Sequence, residues 1–274
     1  MSSAHLSVKD ALYEAPGPKS RRAIRIATAI SIVLIIALIY AIIRQFYITG
    51  QLSPKYWSFF TKWTTWRFLG AGLLGTFEAA MLSGVLALSA GFLIMLCRIS
   101  TNKVLSMTGR AYIQFTRGVP TLLFIYFFFL AVPQFGLKLA AIWKIAIPVA
   151  ISASGVVAEV LRNGVNAVPK GQREAALSLG MRERAVFYKV IFPQALRYVV
   201  PSLIAQLVIV VKDTTYAYII NFPDLMQNAK VLISNYDAML SIYLVAAVIY
   251  ILICYMLNKL AEHINNSTAV SVRG

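Results

Sequence analysis

Four stretches without a single charged residue dominate this chain: 18 residues at 26–43, 19 at 79–97, 20 at 118–137 and 21 at 238–258. Each is near the ~20 residues that an α-helix, rising about 1.5 Å per residue, needs to cross a hydrocarbon core of about 30 Å. Two weaker runs join them. IAIPVAISASGVVA at 145–158 continues through Glu159 towards Arg162. YVVPSLIAQLVIVV at 198–211 is followed by Lys212 and Asp213, then TTYAYII. Its 14 residues reach only about 21 Å as a helix, so this span is expected to continue through Lys212 and Asp213. The expectation is an all-α, polytopic membrane protein with six transmembrane helices. Composition agrees, with 59% hydrophobic and 13% charged residues, against roughly a quarter charged in soluble domains. The first run is longer than a signal-peptide core and lacks a small-residue cleavage pattern after it, so it reads as a retained anchor.

The formal net charge of +16 invites a nucleic-acid reading, but its distribution describes a membrane topology instead. With the N-terminus inside, segments 1–25, 98–117, 162–197 and 258–274 carry 18 of the 26 Lys and Arg residues, the outer segments carry 7, and Lys212 is the last. This bias predicts both termini in the cytoplasm. It also places 162–197, with seven basic residues against Glu174 and Glu183, on the cytoplasmic side.

That segment contains REAALSLGMRERAVFYKVIFP at 173–193. One reading is a basic loop resting on anionic lipid. Its internal order suggests more: REAALSL favours a short helix, Gly180 can end it with φ > 0, and MRERAVFYKV can start another. Pro193 is expected to break the pattern before the next span. A helix–glycine–helix protrusion of this kind suits docking by a partner.

Glu174-Ala175-Ala176, then Gly180, then Ile191-Phe192-Pro193, resemble the EAA loop of ABC-importer permeases, with Phe192 where that family usually has Leu. AEVLRNGVNAVPKGQ at 158–172, FPQALRYVVPSLIAQLVIVVKDTTYA at 192–217 and Arg117-Gly118-Val119-Pro120 are similar to the polar amino-acid branch, within it most to the actinobacterial glutamate-uptake permeases. The resemblance covers about 70–265 and implies a five-helix core preceded by one extra helix. It divides the chain into a cytoplasmic tail (1–25), an extra helix with an outer segment (26–68), the permease domain (69–258) containing the EAA coupling loop (162–197), and a C-terminal tail (259–274). It further implies a bacterial plasma-membrane location and a second permease, identical or homologous, with a heterodimer favoured. Two cytoplasmic ATPases would consume ATP, this chain binding no cofactor itself, and an extracytoplasmic binding protein would deliver the substrate, glutamate first. The coupling residues it implies are Glu174, Ala175, Ala176, Gly180 and Pro193, with Glu174 fixing a helix start or pairing with Arg173 or other nearby cations.

Pathway or gate candidates come from charge inside spans, which is costly unless paired or facing a polar interior. Glu159 and Arg162 are i,i+3 neighbours that can support each other. Lys212 and Asp213 are adjacent and point apart, whereas Gln206 and Asp213, seven residues apart, share a face; an ion pair or a helix break is the plainer account of these charges. The sequence has no catalytic constellation: GPKS at 17–20 is not a phosphate-binding loop, the cysteines Cys97 and Cys254 lack metal spacing, and His5 and His263 lie in the tails. An enzyme is therefore not expected. The alternative transport class is an ion-coupled carrier or channel using Lys212 and Asp213.

Overall fold

The computed structural model describes residues 17–270, and the side chains of residue 17 and residues 19–263. His5, residues 1–16 and residues 271–274 of the expected tails lie outside the described residues. The chain divides into two packed units after Trp57. The first holds helix α1, Pro18–Ile48, and a 3₁₀ turn at Pro54–Tyr56. Gly17 caps α1 in extended backbone and Pro18 takes its first turn, where a missing N–H costs nothing. The helix thus starts inside the expected tail and covers the whole first apolar run.

The second unit contains α2 (Trp63–Ile99), α3 (Lys103–Gly118), α4 (Thr121–Tyr126), α5 (Trp143–Ala167), α6 (Lys170–Ser178), α7 (Glu183–Val186), α8 (Phe192–Asp213), α9 (Leu225–Tyr236) and α10 (Met239–Val270). No strand occurs among the described residues. Five segments are long and apolar enough to cross a membrane: α1, α2, α5, the continuous helical run Glu183–Ile220, and α10. A bent pair, α3 with Thr121–Phe135, makes a sixth if counted as one span.

That pair gives the span expected over 118–137 a different shape: a helix over 103–118 leads into it through a corner. Pro120 disfavours helical backbone at Val119, which sits at φ −97°, ψ 126°, and the two halves meet at 95°. Beyond the corner the chain passes from α4 into a π turn, Phe127–Ala131, then a 3₁₀ turn, Val132–Phe135, and stops at Gly136 with φ 81°. A second π turn, Phe187–Ile191, corrects the role expected of Pro193. In both places the wide turn closes from the residue just before a proline, with Val132 donating to the Phe127 carbonyl and Phe192 to that of Phe187. Widening the turn lets the helix carry a residue with no N–H. Pro193 therefore sits in the first turn of α8 within one continuous helical run, and does not break the pattern before the span.

The helices approach one another through small side chains. The buried face of α2 consists largely of Gly72, Gly75, Thr76, Ala79, Ala80, Ser83, Gly84, Ala87 and Gly91, and it packs chiefly against α5. In a lipid solvent such close backbone approach replaces the hydrophobic drive that water would supply. A Cβ at Gly75 would strike the carbonyl oxygen of Pro223, so only glycine admits the segment that leads into α9. One apolar cluster, including Ala79, Ile125, Val149, Ala153 and Val210, joins α2, α4, α5 and α8. Another, with Met95, Ile113, Val157, Leu161 and Val199, joins α2, α3, α5 and α8 nearer the loop. The tail expected from residue 259 is helical to Val270, where Lys259 meets Glu262 across one turn at 3.1 Å.

Candidate functional site

The expected helix–glycine–helix unit is present. Pro169 leads into α6, and Leu179 and Gly180 close it, Gly180 at φ 77°. The Gly180 N–H donates to the Leu177 carbonyl at 2.9 Å and the Met181 N–H to the Ala176 carbonyl at 3.2 Å. These two bonds form a Schellman ending, which satisfies carbonyls the helix would leave open. A Cβ at Gly180 would meet nothing within 4 Å, so the backbone angle, not crowding, calls for glycine. Ala176 is buried with Val168, Val186, Ile191 and Ala195, and this small core fastens the loop to α8. Ala175 and Glu174 are exposed on the other side of α6. At the tip Leu179 is 83% exposed, an apolar side chain with nothing over it.

Glu174 does not pair with Arg173. Arg173 instead donates to Glu183 at 2.6 Å, joining α6 to α7, because the turn at Gly180 brings residues ten apart together. Among the described residues the Glu174 carboxylate has no ion pair; its main-chain carbonyl accepts the Ser178 hydroxyl at 3.0 Å. A cleft of about 360 Å³ lies at the root of the loop, lined by Ile99, Val168, Arg173, Glu183 and Phe187 among others.

The pathway candidates separate into two places. At the loop end Arg162 grips both oxygens of Glu159, at 2.5 Å through Nη2 and 3.1 Å through Nε. Arg98, Arg110 and Arg117 gather around the same carboxylate. At the far end of α8, Lys212 and Asp213 form no ion pair among the described residues. Lys212 is exposed, while half-buried Asp213 accepts the Thr121 hydroxyl at 3.0 Å, and that hydroxyl lies 2.8 Å from the Ser152 hydroxyl. The expected structural ion pair is thus replaced by a hydroxyl–carboxylate chain across α4, α5 and α8. The helix does not break at Asp213 but tightens into 3₁₀ geometry over Thr214–Ile220. Gln206 is buried two turns back along α8.

Sequence reasoning missed Thr121 and Ser152, which lie 92 and 61 residues from Asp213 and carry no local mark. It also missed a polar centre between the spans. Asp224 is fully buried and accepts the Gln227 N–H at 2.8 Å, capping α9. Thr76 receives the Leu225 N–H at 3.1 Å, and Asn228 donates to the Phe68 carbonyl at 2.7 Å. Burial pushes the Asp224 carboxyl up to about 6, against the main-chain N–H groups that hold it down. The signal was available: Asp224 followed three residues later by Gln227 is a capping-box pattern.

An apolar helical core, with a docked helix–turn–helix loop joining two of its spans, marks a membrane-embedded helical protein. Over residues 84–270 the chain matches the family of binding-protein-dependent transport system inner membrane components. It belongs to that family and is a multi-pass protein of the inner membrane. It is 32% identical over 219 residues to the glutamate transport system permease protein GluD of Corynebacterium glutamicum, covering 78% of this chain and 80% of that one. The probable glutamine ABC transporter permease protein GlnP of Bacillus subtilis is 32% identical, with 72% and 92% covered. The L-cystine permease protein TcyB of Bacillus subtilis is 30% identical, with 73% and 85% covered. Among solved structures, an amino acid ABC transporter with histidines aligns at a TM-score of 0.71 and 28% identity, over 76% of this chain and 98% of that one. The MetNI methionine transporter, at 0.65 and 18% identity, shares the fold.

Proposed function

We propose that glutamate is the substrate carried by this amino-acid ABC importer permease. The likeness to GluD, extending over four-fifths of both chains within rounding, carries the choice of substrate. The chain is a transport subunit rather than an enzyme. It binds no cofactor itself; ATP is consumed by two ATPase subunits that dock on the loop through Glu174, Ala175, Ala176 and Gly180, with Pro193 setting the entry to α8. A homologous second permease completes the core, and an extracytoplasmic binding protein delivers the amino acid. Both termini and 162–197 face the cytoplasm, as the distribution of Lys and Arg suggests. The polar groups of Glu159, Arg162, Gln206, Lys212 and Asp213 belong to the pathway and its gates.

The test is uptake of labelled glutamate, glutamine, aspartate, arginine and cystine by the complete complex in liposomes, with and without ATP. Glutamate should be taken up at the lowest concentration and only with ATP. Preference for another amino acid rejects the substrate; uptake driven by an ion gradient alone rejects the ATP-coupled mechanism. Asp213→Asn should slow uptake per assembled complex, while the tail substitution Glu262→Gln leaves it unchanged. In a cysteine-free chain, an impermeant thiol reagent on intact cells should label a cysteine placed at Ser53 and spare one at Ser178. Equal labelling rejects the orientation.

A further inference from the structure

Helix α3 carries three parallel stripes. Gly109, Ile113 and Thr116 are buried against the neighbouring helices. Lys103, Arg110 and Arg117, spaced seven apart, form an exposed basic stripe that also holds Gln114. Val104 (70% exposed), Met107 (72%) and Phe115 (59%) form an apolar stripe beside it. The basic stripe therefore lies between a packed face and a bare apolar face. Such a helix suits neither the middle of a bilayer nor bulk water; it suits the boundary between acyl chains and headgroups.

The basic stripe also borders concave space. Arg98, Arg110, Gln114 and Arg117 surround a cavity of about 260 Å³ whose floor includes Ile113 and Glu159. A second hollow of about 340 Å³, lined by Lys103, Ser106 and Met107, shares Arg110 with it. Glu159 is the one carboxylate in the first cavity, and Arg162 already occupies both of its oxygens. Arg98 is turned to the Ser106 hydroxyl at 3.1 Å. The guanidinium groups of Arg110 and Arg117 make no hydrogen bond to a described residue. Three guanidinium groups thus line a hollow large enough for a phosphate, whose single carboxylate is already paired with Arg162, and Met107 and Phe115 are exposed alongside for acyl chains.

We propose that this trough is a binding site for an anionic phospholipid, with the phosphodiester held by Arg110 and Arg117 and the acyl chains laid on the apolar stripe of α3. The phosphate oxygens accept guanidinium N–H bonds, for which arginine's fork is suited. The site lies at the same end of the bundle as the coupling loop, since Ile99, directly after Arg98, lines the cleft at the loop's root. Lipid at this site holds the corner between α3 and α4 beside the Glu159–Arg162 pair. It does not depend on which amino acid is transported or on which side of the membrane the loop faces.

The assembled complex in detergent is titrated with dioleoylphosphatidylglycerol and, separately, with dioleoylphosphatidylcholine, and bound lipid is counted by native mass spectrometry. Phosphatidylglycerol should bind more tightly, and the Arg110→Gln/Arg117→Gln variant should lose roughly tenfold in that affinity. Arg110→Lys/Arg117→Lys should keep most of it, and the charge-matched control Arg67→Gln/Lys138→Gln should keep all of it. Unchanged affinity in the glutamine variant, or equal loss in the control, overturns the proposal. Displacement of the lipid by millimolar inorganic phosphate would mark a soluble-anion site and also overturns it. Uptake is then compared in vesicles of phosphatidylcholine alone and of three parts phosphatidylcholine to one of phosphatidylglycerol. Phosphatidylglycerol should stimulate the wild type and fail to stimulate the glutamine variant. An equal deficit of the variant in both vesicles would assign the arginines to the transport pathway and reject the lipid site.

Discussion

In the loop before α8, Arg173 and Glu183 meet at 2.6 Å with 59% and 61% of their side chains exposed, and a left-handed Gly180 stands in open space. Where α8 ends, Asp213 reaches Thr121 on the far side of a chain corner, and a few residues on Asp224, fully buried, caps α9 against Thr76 of α2. The two regions solve different problems. The loop keeps its own shape through local backbone bonds and leaves its surface free for a partner. The far end is tied to α2 and α4 by contacts between residues more than 90 positions apart. The loop should therefore tolerate side-chain changes that respect its backbone, whereas the far end should not tolerate added volume.

Gly75→Val is expected to have the largest effect. Its Cβ would collide with the Pro223 carbonyl, which is main chain and can move only by displacing the entry to α9. Overpacking of this kind costs about 1–3 kcal/mol or more. Gly70 lies in the same helix, and a Cβ there meets nothing within 4 Å. Gly70→Val thus carries the same change in helix propensity without the collision. Thermal unfolding in detergent should place Gly75→Val well below Gly70→Val, and equal midpoints would break the contrast between a crowded end and an open one.

The difference between the ends also decides what could be seen in the sequence. The loop was legible because its determinants are consecutive: REAALSL, Gly180 and MRERAVFYKV sit within 18 residues, and each acts on its neighbours. The spans were legible because about 20 apolar residues mark a crossing wherever they fall. The corner at Val119–Pro120 was not, since an uncharged run counts the same whether straight or bent. The basic amphipathic helix at 103–118, which ends at that corner, was counted only as an inner charged segment. Thr121 and Ser152 could not be assigned to Asp213 from spacing, because a tertiary fold alone joins them. Pro193 was misjudged because a proline usually ends a helix, and the π turn that admits it has no established residue signature here.

Gly180 tests the loop from the backbone side. Left-handed geometry costs a residue with a Cβ about 1–2 kcal/mol, and a β-branched one more, while Asn tolerates it better. Retention of the ATPase on affinity-purified permease should fall several-fold for Gly180→Val and less for Gly180→Asn. Equal retention of all three proteins would detach the Schellman turn from docking. A further test compares the ends by pH. Asp224 ionises near 3.8 unfolded and at about 6 folded, so between those values the folded chain holds more protons. Stability from this group is full below 3.8, declines as pH rises through that interval, and is flat above it. The midpoint of unfolding should drop over the interval in the wild type, and Asp224→Asn should remove that part of the slope. A slope unchanged by Asp224→Asn would deny this carboxyl its role.

The smallest effect is expected from the ion pair that looks most prominent. Arg173 and Glu183 close a 2.6 Å contact between α6 and α7, but both are more than half exposed and water screens them. Exposed pairs of this kind contribute about 0–1 kcal/mol. The turn itself is already fixed by the Gly180 and Met181 N–H bonds and by the burial of Ala176. A double-mutant cycle with Arg173→Ala and Glu183→Ala, read by thermal unfolding, should return a coupling below about 1 kcal/mol that shrinks further in high salt. The same cycle read by ATPase retention can be larger, because a partner that covers the pair excludes the water that weakens it. A coupling well above 1 kcal/mol in the uncomplexed permease would mean that the loop end, like the far end, is held by side-chain electrostatics, and the contrast drawn between them would fail.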